Sequence, residues 1–452
     1  MALDDIVAHK RKSIETSRAN IEALSKNLRP STKSLHSALS HNKSAFIFEI
    51  KPASPSKGVI RRDVDILAVA DIYAPFAAAI SVLADEKYFG GSYQNVKAVS
   101  DAHSCPVLCK DVVVSPWQIY EARFYGADAV LLMLSVLDDQ TYRHCAEAAT
   151  ALNMDIITEV HTSQELARAH DLKAKIIGIN NRNLKTLDID PKTTERLLPL
   201  IASDCLVISE SGFSHRNQLL QLAGRVNGFL IGTSLMKSPR IDLALRELLF
   251  GRVKICGLTN REDAYNAYKC GAYYGGLNFS SVSKRRVTLD EARALKKDVP
   301  LVFGGVFVNQ SADEIMSMVN ELSLDFVQLH GDETESYVSE LKARLPQGCE
   351  LWQAKRVDKQ LSSLATKADR ILLDSFSPTD YGGTGKTFDW GMLKDHPLRT
   401  HIILAGGMNA NNIRAASEFE PFALDIASGV EDNNPRKKSE LKLEQLFTHL
   451  WP

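Results

Sequence analysis

From about residue 45 onward, short apolar runs alternate with stretches whose apolar positions fall at helical spacing. In the first half the runs are AFIFEI, AISVLAD, PVLCKD, AVLLML, DIITEV, IIGINN, CLVISESG and GFLIGTS, eight in all. Most are apolar nearly throughout, as strands buried on both faces are, and strands separated by helices pair in parallel. Near Val253 the pattern restarts. VKICG, YYGGLNF, PLVFGGV, FVQLHG, ELWQAK, RILLDS, HIILAGG and ALDIASG are eight more. Eight strand–helix units close a barrel. The pattern therefore predicts an α/β chain of two consecutive (β/α)8 TIM barrels, residues 45–251 and 252–452.

Residues 1–44 stand outside that count and form a helical extension of the first barrel. Val7, Ile14, Ile21 and Leu28 recur every seven residues, with Leu3 and Leu24 between them. Lys10 and Ser17 interrupt the seam, which favours helices lying across one mouth of the first barrel over a coiled coil. Between the barrels there is no Gly/Ser- or Pro-rich linker. The helical stretch DLALRELLFG runs almost directly into the first strand of the second.

The length of 452 residues is too great for one core, whereas barrels of about 250 residues are ordinary. A net charge of -1 argues against a nucleic-acid partner and against a polybasic membrane contact. No apolar run is long enough to span a bilayer, and the first residues lack a signal-peptide core. The seven cysteines are irregularly spaced, as reduced thiols are, so the cytoplasm is the expected compartment. The twelve histidines are scattered, with no HExxH and no paired CxxC, so no metal site is expected.

One ending occurs twice. VISESG (Val207–Gly212) leads to GFLIGTS (Gly228–Ser234), and IILAGG (Ile402–Gly407) leads to ALDIASG (Ala423–Gly429). The loops after strands seven and eight of such barrels form a common phosphate site, so each barrel is expected to grip a phosphorylated small molecule.

Chemistry in this fold sits at strand C-termini. The first barrel places there Glu49 and Lys51, Lys110, Glu159, Asn180 and Arg182, and Glu210 with Ser211. Any one of these is as readily a salt bridge capping the barrel. Together, two lysines and three carboxylates can shift one another's pKa and divide acid and base work. The second barrel is sparer, with Cys256, His330, Lys355 and Asp374. A lone strand cysteine is usually a small core hydrophobe. At a catalytic rim, opposed by an aspartate, it can instead act as base with the aspartate as acid. His330 reads as an orienting or ligand-contacting group. GGTGKT (Gly382–Thr387) imitates the tail of a P-loop, but Asp380 stands where that motif needs glycine, which argues against ATP. A glycine-rich loop folding over a ligand fits better.

FEIKPASPSKG, LCKD, TEV, GINNRNL, SESG and FLIGTSLM resemble indole-3-glycerol phosphate synthase along residues 1–250. KICGLT, VQLHG, LLDS, GGTGKTFDW, LAGGM and DIASGVE resemble phosphoribosylanthranilate isomerase along residues 252–452. The resemblance implies two consecutive reactions of tryptophan biosynthesis on small phosphorylated anthranilate–sugar substrates, with no metal or organic cofactor. In the second barrel it implies Cys256 as general base at ribose C2 and Asp374 as general acid at the ring oxygen. In the first it implies Lys51 and Lys110 as the cations at the ketone, in either order. Glu159 would then serve dehydration, Glu49 and Glu210 would orient lysines and hydroxyls, and Asn180 and Ser211 would complete the site. Phosphate or substrate contacts fall on Ser54, Lys57, Arg182, Gly212, Gly232 and Ser234 in the first barrel. In the second they fall on Arg285, His330, Gly383, Gly406, Gly407, Ser428 and Gly429.

Two positions depart from the family pattern. Lys284 stands where the isomerase commonly has proline, and Val112 where the synthase often has phenylalanine. Both predict altered KM with the chemistry retained. A pair of histidine-pathway barrels is disfavoured, because Lys51 and Glu159, and Cys256 and Lys355, replace the aspartates those strands resemble. A binding scaffold without turnover is disfavoured because the acid–base residues accompany the glycines. A monomer is the expected state.

Overall fold

Each of the sixteen apolar runs forms a parallel strand, and each set of eight closes on itself. The computed structural model describes residues 3–41, 44–183, 186–357, 364–375, 388–393 and 396–452. In the first barrel the opening strand Ala45–Ile50 pairs with both the second, Ala79–Leu83, and the eighth, Gly228–Ile231. In the second barrel Val253–Cys256 pairs likewise with Tyr274–Asn278 and Ala423–Ile426. The chain divides into two compact units between Leu245 and Arg246, inside the helix Ile241–Phe250. Among the described residues no helix is long and apolar enough to cross a membrane.

The interiors are packed in different ways. Aliphatic side chains from successive strands, among them Ile47, Leu108, Leu131, Ile157, Ile208 and Leu230, fill the first barrel. The floor of the second is aromatic: Phe326 stacks on Trp352 at 3.8 Å, and Tyr274 meets both edge-on. Trp352 is fully buried.

The N-terminal extension departs from the expected seam. Its first helix, Leu3–Ser25, buries Ile6, Ile14 and Ile21, whereas Val7 and Leu28 are only half-buried. The helix also ends before Leu28 is reached. Lys10, read from the sequence as an interruption, lies on the packed face, where its ammonium reaches Asp85 at 3.0 Å and Asp111 at 2.7 Å. The extension also touches both mouths of the barrel instead of one. Leu3 and Ile6 line the pocket at the C-terminal mouth. A second short helix, Leu35–Ser40, buries Leu35 and Leu39 against the floor. There Asp155, opening the fifth strand, accepts hydrogen bonds from Ser34 Oγ and His36 N–H, both at 3.0 Å.

Candidate active sites

At the C-terminal mouth of the first barrel the acidic and basic residues form one buried network. Lys110, ending the third strand Val107–Lys110, donates to Glu210 Oε2 at 2.8 Å and lies 3.7 Å from Glu49 Oε2. Lys51 donates to Glu49 Oε1 at 2.8 Å. Burial alone would push Glu49 up, but Lys51 and Lys110 outweigh it and hold the carboxyl below its ordinary range. Burial works against the Lys110 ammonium too, and Glu210, Glu49 and Glu159 more than compensate, so it stays charged. Glu159 behaves in the opposite way. Burial and the neighbouring Glu210 push it up further than His161, Lys110 and Asn180 pull it down. Two carboxylates within one network are thereby separated in basicity, the condition for splitting acid and base roles.

Glycines make room for this network. A Cβ at Gly178 would stand 2.3 Å from Glu210 Oε1, and one at Gly232 would stand 2.8 Å from Glu49 Cβ. Asn180, Arg182, Ser54 and Val112 line the same pocket. An adjoining recess is lined by Lys57, Arg182, Ser211, Gly212, Gly232 and Ser234, together with Lys237, which sequence reading missed. Ser211 and Gly212 both take positive φ, +68° and +94°. A non-glycine residue in that region is strained, and successive backbone N–H groups in such a turn make an anion-binding concavity.

The second barrel repeats the turn. Gly406 and Gly407 have φ of +85° and +61° at the same point after the seventh strand, Ile402–Leu404. A Cβ at Gly406 would meet Ser375 Oγ at 2.8 Å and Asp374 Oδ1 at 2.9 Å, so this glycine also lets Asp374 into the mouth. Cys256, Arg285, His330, Asp374, Gly406, Gly407 and Ser428 line one pocket with Lys284. His330 Nε2 lies 3.5 Å from Asp374 Oδ2, and its Nδ1 is 3.1 Å from Gln328 Nε2. Gly429 packs closely on the loop after the seventh strand, since a Cβ there would fall 1.8 Å from Met408 O. Lys355 turns away to pair with Glu335 at 3.3 Å. Arg285 is held by both carboxylate oxygens of Glu431, at 2.7 and 2.8 Å. Gly383, with the GGTGKT stretch, lies outside the described residues.

Several polar groups at these sites escaped sequence reading. His161 faces Glu159 at 3.3 Å and is fixed from behind by Glu165, which accepts from the His161 backbone N–H at 2.6 Å. Lys254 and Asp425 form an ion pair of 2.9 Å inside the second barrel. For Lys254 and Asp425 the signal was a charged residue inside an otherwise apolar strand, whereas His161 stands just past the end of the fifth strand, Asp155–Val160.

Residues 3–248 match the family described as indole-3-glycerol phosphate synthase, and residues 253–449 the family described as N-(5'-phosphoribosyl)anthranilate (PRA) isomerase. The chain is 46% identical over 421 residues to the tryptophan biosynthesis protein TrpCF of Vibrio cholerae, covering 93% of this chain and 89% of that one. The Vibrio parahaemolyticus TrpCF is also 46% identical, over 451 residues, covering 98% of this chain and 93% of that one. The Haemophilus influenzae TrpCF is 42% identical over 437 residues, covering 94% and 91% respectively.

Proposed function

The chain belongs to the bifunctional family that joins indole-3-glycerol phosphate synthase to phosphoribosylanthranilate isomerase, and from that premise we propose how its two mouths divide the work. The C-terminal barrel isomerises N-(5-phosphoribosyl)anthranilate to 1-(2-carboxyphenylamino)-1-deoxyribulose 5-phosphate. The N-terminal barrel converts that product to indole-3-glycerol phosphate with loss of carbon dioxide and water.

In our reading, Asp374 protonates the ribose ring oxygen as the ring opens to an iminium, and Cys256 removes the proton from C2. The enolamine that results tautomerises to the ketone. His330, 3.5 Å from Asp374, orients the acid. Gly406, Gly407 and Ser428 seat the phosphate, and Arg285 meets the anthranilate carboxylate once Glu431 yields its place.

In the first barrel Lys110 and Lys51 supply the cation that polarises the ketone as the aromatic carbon attacks it. Decarboxylation restores the ring, and Glu159, the carboxyl pushed upward by burial, exchanges the proton needed as the hydroxyl leaves as water. Glu49 and Glu210 hold the lysines in place. Asn180 hydrogen-bonds the substrate, and the Ser211–Gly212 turn, with Ser54, Lys57, Arg182, Gly232 and Ser234, takes the phosphate. The observation that carries this reading is the contact of Lys110 with two buried carboxylates beside that turn.

We read the enzyme as a cytoplasmic monomer, which light scattering of the purified protein tests for mass. The functional test supplies phosphoribosylanthranilate without metal or cofactor and follows products by mass. Indole-3-glycerol phosphate with carbon dioxide is the expected result. Accumulation of the aminodeoxyribulose phosphate would remove the assignment of the first barrel. No conversion at all would remove that of the second, and the first would then fall only if the supplied aminodeoxyribulose phosphate also went unconverted.

A further inference from the structure

Inside the second barrel one lysine has no exposure to solvent. Lys254 lies in the strand Val253–Cys256, and its ammonium donates to Gln328 Oε1 at 2.8 Å and to Asp425 Oδ2 at 2.9 Å. Two residues apart on a strand, Lys254 and Cys256 project to the same face, here the barrel interior. Strand register sets Lys254 directly opposite Asp425 and Cys256 directly opposite Gly276. A Cβ at Gly276 would stand 2.9 Å from both Cys256 Sγ and Lys254 Cε. The missing side chain leaves open space between the end of the lysine stem and the sulfur. An ammonium has three N–H donors. Gln328 and Asp425 take two, which leaves the third N–H for the neighbouring Cys256 on the same face.

A buried ion pair serving only the fold contributes little, because desolvation offsets the attraction. This pair has a neighbour that gains from it. The groups facing Cys256 are Lys254 on its own strand, Asp425 on the eighth, and Arg285 and Lys438 from the loops, with Asp374 and His330 across the mouth. Glu431 already engages both Arg285, at 2.7 Å, and Lys438, at 2.5 Å. Burial pushes the Cys256 thiol up, Lys254 pulls against it most strongly, and the net position is above the ordinary thiol range. Without that lysine the sulfur would be held more firmly protonated.

We propose that Lys254 is a positioning residue of the isomerase: it stabilises the Cys256 thiolate through its third N–H, Asp425 and Gln328 hold it there, and Gly276 keeps the gap open. The thiol releases its proton to solvent, and the thiolate then takes the substrate C2 proton and returns to the thiol. The proposal rests on Cys256 being the base.

The test uses the full-length protein carrying Lys254→Met, which keeps the stem and removes the charge. Alkylation of Cys256 by iodoacetamide is followed against pH by peptide mass, beside the pH profile of isomerase kcat/KM. Synthase turnover of the aminodeoxyribulose phosphate controls for preparation quality. Both the alkylation midpoint and the alkaline-rising limb of the isomerase are expected to move up by about one pH unit, with activity at neutral pH down about tenfold. Lys254→Arg should recover part of the shift. If Lys254→Met fails to fold, Lys254→Met with Asp425→Asn removes the stranded carboxylate, and the midpoint should still rise. A folded variant with an unmoved midpoint would overturn the proposal. Full isomerase activity in Cys256→Ala would instead sink the base assignment, whatever the alkylation of the lysine variants shows.

Discussion

Lys110 Nζ and Glu210 Oε2 meet at 2.8 Å across the mouth of the first barrel, with side chains 14% and 2% exposed. Replacing Lys110 with alanine leaves Glu210 and Glu49 buried beside each other without their shared cation. Removing one partner of such a pair costs about 3–5 kcal/mol of stability. Loss of the catalytic cation should lower synthase kcat by about 100-fold or more. The isomerase residues all stand in the other barrel, so its activity should persist. Cys256→Ala should show the converse. Separate assays with each substrate decide the matter, and either variant silencing both reactions while folded would defeat independence of the sites.

Glu159 and His161 make a second measurable pair. Because burial and Glu210 raise the Glu159 carboxyl, the acidic limb of synthase kcat/KM should lie above the ordinary carboxylate range. His161 is itself raised: burial opposes its charge, but Glu165 and Glu159 prevail. As a cation it pulls Glu159 down. His161→Asn should therefore move the acidic limb upward, by roughly one pH unit. A limb that stays put or moves down would show that His161 does not tune Glu159.

These two pairs show how far the sequence could be read. Lys110 and Glu210 each end an apolar run, and in a barrel all strand ends converge, so their meeting followed from topology alone. Short, nearly continuous apolar runs separated by stretches of helical spacing predicted all sixteen strands. Lys254 was hidden because its importance depends on which strand faces which, and His161 because it stands just past a strand end, where Glu159 and Glu165 meet it. Lys254 acquires meaning only when register sets it against Asp425 and glycine at 276 opens a path to Cys256. The extension misled differently. A seven-residue repeat suggested Val7 and Leu28, but a single helix lying on a curved surface buries Ile6, Ile14 and Ile21, and a lysine on that face is welcome where two aspartates wait.

Gly406 should tolerate no side chain. Its φ of +85° is costly for an L-residue, and the added methyl would press on Asp374 Oδ1 at 2.9 Å and Ser375 Oγ at 2.8 Å. Gly406→Ala should displace the acid carboxylate and lower isomerase kcat by about tenfold or more, with KM raised through the phosphate turn. Synthase activity is the internal control. An unchanged isomerase would mean that neither Asp374 nor the phosphate depends on this turn.

Lys10 ties the extension to the residue that follows Lys110. Burial disfavours its charge, but Asp111 and Asp85 prevail, and the ammonium pKa ends above its ordinary value of 10.5. A cation whose pKa is raised by folding contributes stability that is fully present below the unfolded pKa and fades as pH climbs through the folded one. The difference in stability between wild type and Lys10→Met should thus be flat from about pH 6 to 9 and shrink in stronger alkali. At neutral pH it should amount to about 3 kcal/mol, since Asp85 and Asp111 stay buried when their partner goes. Hydrogen exchange across residues 3–25 localises the effect, because the helix Leu3–Ser25 should open before the barrel does. Faster exchange confined to the barrel strands, with that helix unchanged, would show that Lys10 braces the mouth without anchoring the extension.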